Sequence, residues 1–131
     1  SGARTNSMQV FDPQTNTWAA GPPMPTARMA LGVAALGGKI YAVGGHQPSA
    51  GGAASLAEAF DPQTNSWAAV APMSMGRYHF SLTTVRGKLY AAGGSGPPAQ
   101  NSVEVYDPQQ NRWDALAPMA NAHSEHCAVA L

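Results

Sequence analysis

The sequence is poor in charge. Only 11% of its 131 residues are Asp, Glu, Lys or Arg, and seven basic side chains balance seven acidic ones. That balance excludes the basic stripe with which a protein grips a nucleic-acid backbone, and it leaves no acidic surface either. Cysteine is nearly missing: Cys127 stands alone, so no intrachain disulfide can form. A single thiol fits a reducing, cytoplasmic setting. No apolar run approaches the ~20 residues that a membrane-spanning helix needs, so no membrane partner is expected. No stretch carries a capped apolar pattern of helical period. The opening Ser1-Gly2-Ala3-Arg4-Thr5-Asn6-Ser7 has no apolar core of a secretory signal. Residues 1–7 are expected to form a disordered or extraneous lead.

What the chain does have is turns and a repeat. Gly (14) and Pro (11) are abundant and punctuate short apolar stretches. Asp-Pro pairs begin at 12, 61 and 107, and tryptophans stand at 18, 67 and 113. Both sets step by 49 and then by 46. The doublets Gly44-Gly45 and Gly93-Gly94 keep the same step, and so do Arg28, Arg77 and His123. Several unrelated markers in one register define an internal repeat.

Each unit reads as four strands of about five residues joined by tight turns, an antiparallel meander. In the best copy the strands cover 78–85, Lys88 to Ala92, Ser102 to Tyr106 and a stretch starting near Trp113. The turns between them carry Arg86-Gly87 and the Asp107-Pro108-Gln109-Gln110-Asn111 run. The earlier copy matches over 30–36, 39–43, 56–60 and from Trp67. Its linker, 46–55, is rich in Gly, Ala and Ser and is expected to be mobile. The equivalent linker, 95–101, is three residues shorter, which accounts for the change of step.

An apolar strand before Gly-Gly, an aromatic before Asp-Pro (Phe11, Phe60, Tyr106) and a Trp six residues after the Asp resemble the kelch repeat. The resemblance covers residues 8–131. It implies an all-β fold of kelch-type β-propeller blades, each a four-stranded meander packed radially against the next. On that reading 8–20 are the last two strands of one blade, 27–69 and 76–115 are full blades, and 123–131 open another. Roughly 2.7 repeats cannot close a ring that takes about 4–8 blades. The chain is therefore expected to be part of a longer propeller or a homo-oligomer that closes the ring with copies of itself. Trp18, Trp67, Trp113, Tyr41 and Tyr90 are expected to fill the gaps between blades, with Gly44, Gly45, Gly93 and Gly94 as frame residues.

Candidate functional positions are those near the frame or out of step with it. Arg28, Arg77 and His123 recur at the start of each first strand and would form a ring of donors at one mouth of the channel, or else bond carbonyls of the neighbouring blade. Tyr78 and His79 differ from their counterparts Met29 and Ala30, which favours them as contact residues. His46 opens the long linker on the same side. His123, His126 and Cys127 offer metal-ligand types, but a strand would point them to different sides; no metal and no cofactor is expected. Glu58 and Glu104 belong to different blades, so they do not make a general acid–base pair. No nucleophile motif or phosphate loop is present.

The resemblance implies a non-enzymatic module that binds a protein or peptide, often an acidic segment, through loops on one propeller face, as a substrate adaptor or scaffold. The alternatives are a propeller enzyme with a sugar or oxidase-type site at the central mouth, and a self-assembling fragment.

Overall fold

Alternation and turn chemistry settle the strands. The computed structural model describes residues 5–96, 100–125 and 128–129. Two four-stranded antiparallel sheets dominate it. The first blade is β3 (Gly32–Leu36), β4 (Lys39–Val43), β7 (Ala57–Asp61) and β8 (Ser66–Val70), paired in that order. The second is β9 (Ser81–Val85), β10 (Lys88–Ala92), β11 (Val103–Asp107) and β12 (Arg112–Leu116), also paired in order. Ahead of them β1 (Met8–Asp12) and β2 (Thr17–Gly21) form a hairpin. The fold is all-β, as the repeat implies.

The 46–55 linker differs from expectation. It folds into a small hairpin, β5 (His46–Gln47) and β6 (Gly52–Ala53), around a 3₁₀ turn at Pro48–Ala50. Gly51 caps that turn in the left-handed conformation its missing Cβ allows. Thr5–Ser7 also depart from expectation, because they belong to the repeat. The Asn6 carboxamide donates to the Met24 carbonyl and the Met24 amide donates to the Asn6 carbonyl, both at 2.7 Å. Asn101 and Met119 repeat that clasp, and Ser55 accepts from Met73 in the same register. After Leu116 the described residues contain no strand. Of the strand expected over 123–131, residues 126, 127, 130 and 131 lie outside the described residues.

The core lies between the blades. Tyr41, Val43, Ala57 and Ala59 on one face of the first blade meet Phe80, Leu89, Ala91 and Tyr106 of the second, with Met73 from the connecting loop. Leu89 and Val43 have no exposed surface, and each such residue contributes about 1.5–3 kcal/mol when fully buried. The Tyr41 and Tyr106 rings lie 5.7 Å apart across the interface. On the inner strands, Thr84 donates to the Ala35 carbonyl at 2.7 Å.

Trp67 and Trp113 act between units. Trp67 donates its indole N–H to the Pro22 carbonyl at 2.9 Å and Trp113 donates to the Ala71 carbonyl at 2.8 Å. Each reaches the loop that leaves the preceding unit. Each also stacks on its cross-strand aromatic, Phe60 or Tyr106, at 5.4 and 5.1 Å. Gly44 and Gly45 have positive φ, and a Cβ on Gly44 would meet the Arg77 carbonyl at 2.6 Å. The doublet is thus required where the next blade's backbone closes in, through the Gly45 amide to Arg77 carbonyl bond of 2.8 Å. Gly94 makes the equivalent bond to His123.

A buried ion pair ties each blade together. Arg28 is 3% exposed and Arg77 0%. The Arg28 guanidinium donates to the carbonyls of Gly44 and Ala42 and to Glu58 Oε2, the last at 2.8 Å. Arg77 donates to the carbonyls of Gly93 and Ser102, to Ser102 Oγ, and to Glu104 Oε2 at 2.8 Å. Burial pulls the Arg28 guanidinium below its ordinary value, while the hydrogen bond and charge of Glu58 oppose that. The second carboxylate oxygen is satisfied differently in the two blades. Glu104 Oε1 accepts the Ser74 amide at 2.8 Å. The counterpart of Ser74 is Pro25, which has no N–H, and the Thr26 hydroxyl donates to Glu58 Oε1 instead, also at 2.8 Å.

The aspartates before proline organise the opposite turns. Asp107 Oδ1 accepts the amides of Gln109 and Gln110, and its Oδ2 lies 3.3 Å from Lys88 Nζ. Asp61 and Asp12 repeat the amide bond. These carboxylates are therefore engaged as well as solvated. Desolvation works against the Asp107 charge, but the two amides and the ammonium outweigh it and hold the carboxyl below its usual range.

Three outcomes follow. Glu104→Ala strands the buried Arg77 charge and should destabilise the chain by about 3–5 kcal/mol in urea unfolding. Asp114→Ala, which removes only the exposed pair to Arg112, should change it by less than about 1 kcal/mol. The Asp107 contribution is complete above the unfolded carboxylate value near ~3.9 and is lost as pH falls through the lower folded value. Asp107→Asn keeps the turn but cannot titrate, so its stability deficit at about pH 7 should close by about pH 2 in urea midpoints. A deficit that stays constant with pH would contradict the assignment.

Candidate binding face

Meander geometry fixes which loops share a side. Strand direction reverses at each turn, so the turns 37–38, 61–65, 86–87 and 107–111 lie at one end of the blades. The loops leaving β4, β8, β10 and β12 lie at the other end. That second end carries every residue singled out for binding.

The arginines do not serve as expected. Arg28 and Arg77 are not donors at a channel mouth. Their side chains turn into the blade, and the carbonyls they bond belong to their own blade rather than to its neighbour. The reason is chemical: a strand exit that ends in two glycines leaves carbonyls inside, and a guanidinium with five donors satisfies them while Glu58 or Glu104 balances the charge. His123 holds its place in the register through its backbone, donating to the Gln100 carbonyl and accepting from the Gly94 amide.

His46, Tyr78 and His79 are brought together. The His46 ring packs edge-on to Tyr78 at 5.0 Å, and Tyr78 to His79 at 5.2 Å. Backbone bridges hold them: His46 pairs with Met29, and Tyr78 with Ser95. The three rings form a partly exposed aromatic ledge. Next to it is Glu125, whose Oε1 lies 3.4 Å from His79 Nδ1. Beyond the Tyr78–Ser95 bridge a shallow depression of about 160 Å³ is lined by Gly94, Ser95, Gly96, Ala122, His123 and Ser124.

Sequence reasoning did not single out Glu125 as a contact residue, and it missed the backbone feature that places it. Ala30, His79 and Glu125 all have φ near +50°, at 53°, 50° and 55°. The His79 amide donates to the Ala30 carbonyl and the Glu125 amide to the His79 carbonyl, a chain of bonds from blade to blade. Non-glycine residues at such φ are uncommon and mark functional or over-determined positions. The three positions share the repeat step, but Ala, His and Glu share no chemistry that a sequence pattern could show.

The proposed metal group is incomplete in the structure. His126 and Cys127 lie outside the described residues, and no cluster of three ligand-type side chains occurs among the described ones. Apolar surface gathers elsewhere. A cleft of about 700 Å³ between the β1–β2 hairpin and the first blade is lined by Phe11, Leu31, Val33, Ile40, Phe60 and Trp67, among others. It corresponds to the packed interface between the two blades, with the hairpin in place of β7–β8 and no described residue in place of Tyr41 and Val43. Trp18, on the outer side of that hairpin, is 67% exposed.

Comparison with known proteins agrees with this architecture. A stretch of 42 residues, 32% of the chain, is 43% identical to Kelch-like protein 35 of Homo sapiens. The stretch spans 7% of that protein, so the chain covers a small part of the relative's length. A family model for the kelch motif matches residues 1–25, 27–74 and 76–120. With four-stranded antiparallel blades in register over nearly its whole length, the chain belongs to the kelch-repeat family.

Proposed function

We propose that this chain is a protein-interaction module that binds a protein or peptide through the face carrying His46, Tyr78 and His79, as part of an adaptor or scaffold rather than an enzyme. The observation that carries this reading is the aromatic ledge itself. Tyr78 and His79 stand where the preceding repeat has Met29 and Ala30, with the same backbone. The frame therefore does not need these rings, and rings without a structural duty on an exposed loop face are contact residues. Kelch repeats commonly serve protein–protein interaction, which supports the same reading.

The ring is completed from outside these residues. The apolar cleft beside β1 fits two further strands bearing a bulky and a β-branched side chain, as Tyr41 and Val43 do in the first blade. Further strands of the same polypeptide or a second copy of it would supply them.

The test is a repeat swap. Tyr78→Met with His79→Ala installs the first repeat's pair and should leave stability within about 0.5 kcal/mol. Partner recovery in quantitative pull-down should fall about tenfold, while Gln63→Ala at the opposite end should leave it unchanged. Recovery that ignores the swap and falls with the opposite-end change would overturn the proposal.

A further inference from the structure

The charges of this chain are sorted by position. Among the described residues, Arg28, Glu58, Arg77 and Glu104 are buried against one another. Asp12, Lys39, Asp61, Arg86, Lys88, Asp107 and Arg112 lie at the tight-turn end, and Asp114 pairs with Arg112 on the outer strand. Among the described residues, the loop end that carries the aromatic ledge keeps one exposed charged side chain, Glu125, which is 74% exposed. Beside it stand His79, 42% exposed, and Met29, 44% exposed.

This sorting decides which ligand charge the face can take. An acidic segment would need cations, and among the described residues the arginines near this end are buried and already paired. Bringing a carboxylate to Glu125 would instead add like-charge repulsion. A cation finds the opposite: a carboxylate open to solvent and aromatic rings that attract positive charge. Around that point the loops are mainly Gly, Ala, Ser, Pro and Met with a few uncharged Gln and Asn, which favour an uncharged segment.

Resting on the interaction-face reading above, we propose that this face takes a peptide segment with a single lysine or arginine in an otherwise uncharged context. The cation sits beside Glu125 and against the Tyr78–His79 rings. The flanking residues lie across Met29 and His46. The site therefore discriminates against the acidic segments that the family resemblance would suggest.

Capped pentapeptides with Arg, Met or Glu at the centre and Gly and Ala on either side test this by NMR titration of the 131-residue chain. The Arg peptide should bind about tenfold more tightly than the Glu peptide and shift the amides of Tyr78, His79 and Glu125. Glu125→Gln should cut the preference for the Arg over the Met peptide severalfold, leaving the weaker attraction of the rings. A Glu peptide that binds as well as the Arg peptide, or an Arg preference undiminished by Glu125→Gln, would overturn the proposal. If all three bind alike at this face, the charge inference falls and the interaction face stands. If none binds, both fall.

Discussion

The structure depends on a buried arginine paired with a buried glutamate, once in each blade. Arg28 and Arg77 start the connection into the inner strand, while Glu58 and Glu104 stand on the third strand. Between them lie carbonyls of the second strand and its Gly-Gly exit, Ala42 and Gly93, that the arginines also bond. One side chain thus joins the chain's arrival at the blade to two of its strands. Removing two opposite charges from water is expensive, and only a geometry that fills the remaining lone pairs offsets it. The two blades fill those lone pairs by different donors, the Ser74 amide and the Thr26 hydroxyl. The requirement is fixed and its solution is local.

Sorting of the remaining charge follows from that pair. Four of the chain's few ionised groups are spent inside, and the turn aspartates hold the nearby lysines at the opposite end. Among the described residues the loop end is left neutral apart from Glu125, and its shape is set by backbone rather than by charge. Gly45 and Gly94 accept close approach of the next unit, and Ala30, His79 and Glu125 take the same left-handed turn to pass hydrogen bonds between units. Side chains at these positions are free to vary because the backbone does the holding. A contact surface can therefore change there without disturbing the blades.

The fold was legible in the sequence because packing between repeats demands the same residue at the same step. Asp-Pro, Trp and Gly-Gly recur for reasons visible in the structure: an aspartate that accepts turn amides, an indole that reaches the previous loop, and glycines under an approaching carbonyl. The strand limits read from these markers agree with the sheets to within three residues at the strand starts. The arginines were legible as repeating but not as buried, since recurrence alone does not say which way a side chain points. Their partners, Glu58 and Glu104, recur with them at the same step, and that shared recurrence was the available sign. Glu125 was not legible, because it is joined to His79 by a backbone conformation and not by a shared residue type. The 46–55 hairpin was hidden by a composition that favours loops and by strands only two residues long.

The central claim is that the repeated arginines are internal struts and not ligand-binding groups. Arginine-specific modification with phenylglyoxal, read by mass spectrometry under native conditions, tests it most directly. Arg86 and Arg112 are exposed and should react readily. Arg28 and Arg77 should react about a hundredfold more slowly, as groups reached only through opening of the blade. Modification of Arg28 or Arg77 at the rate of Arg86 in the folded chain would contradict the account.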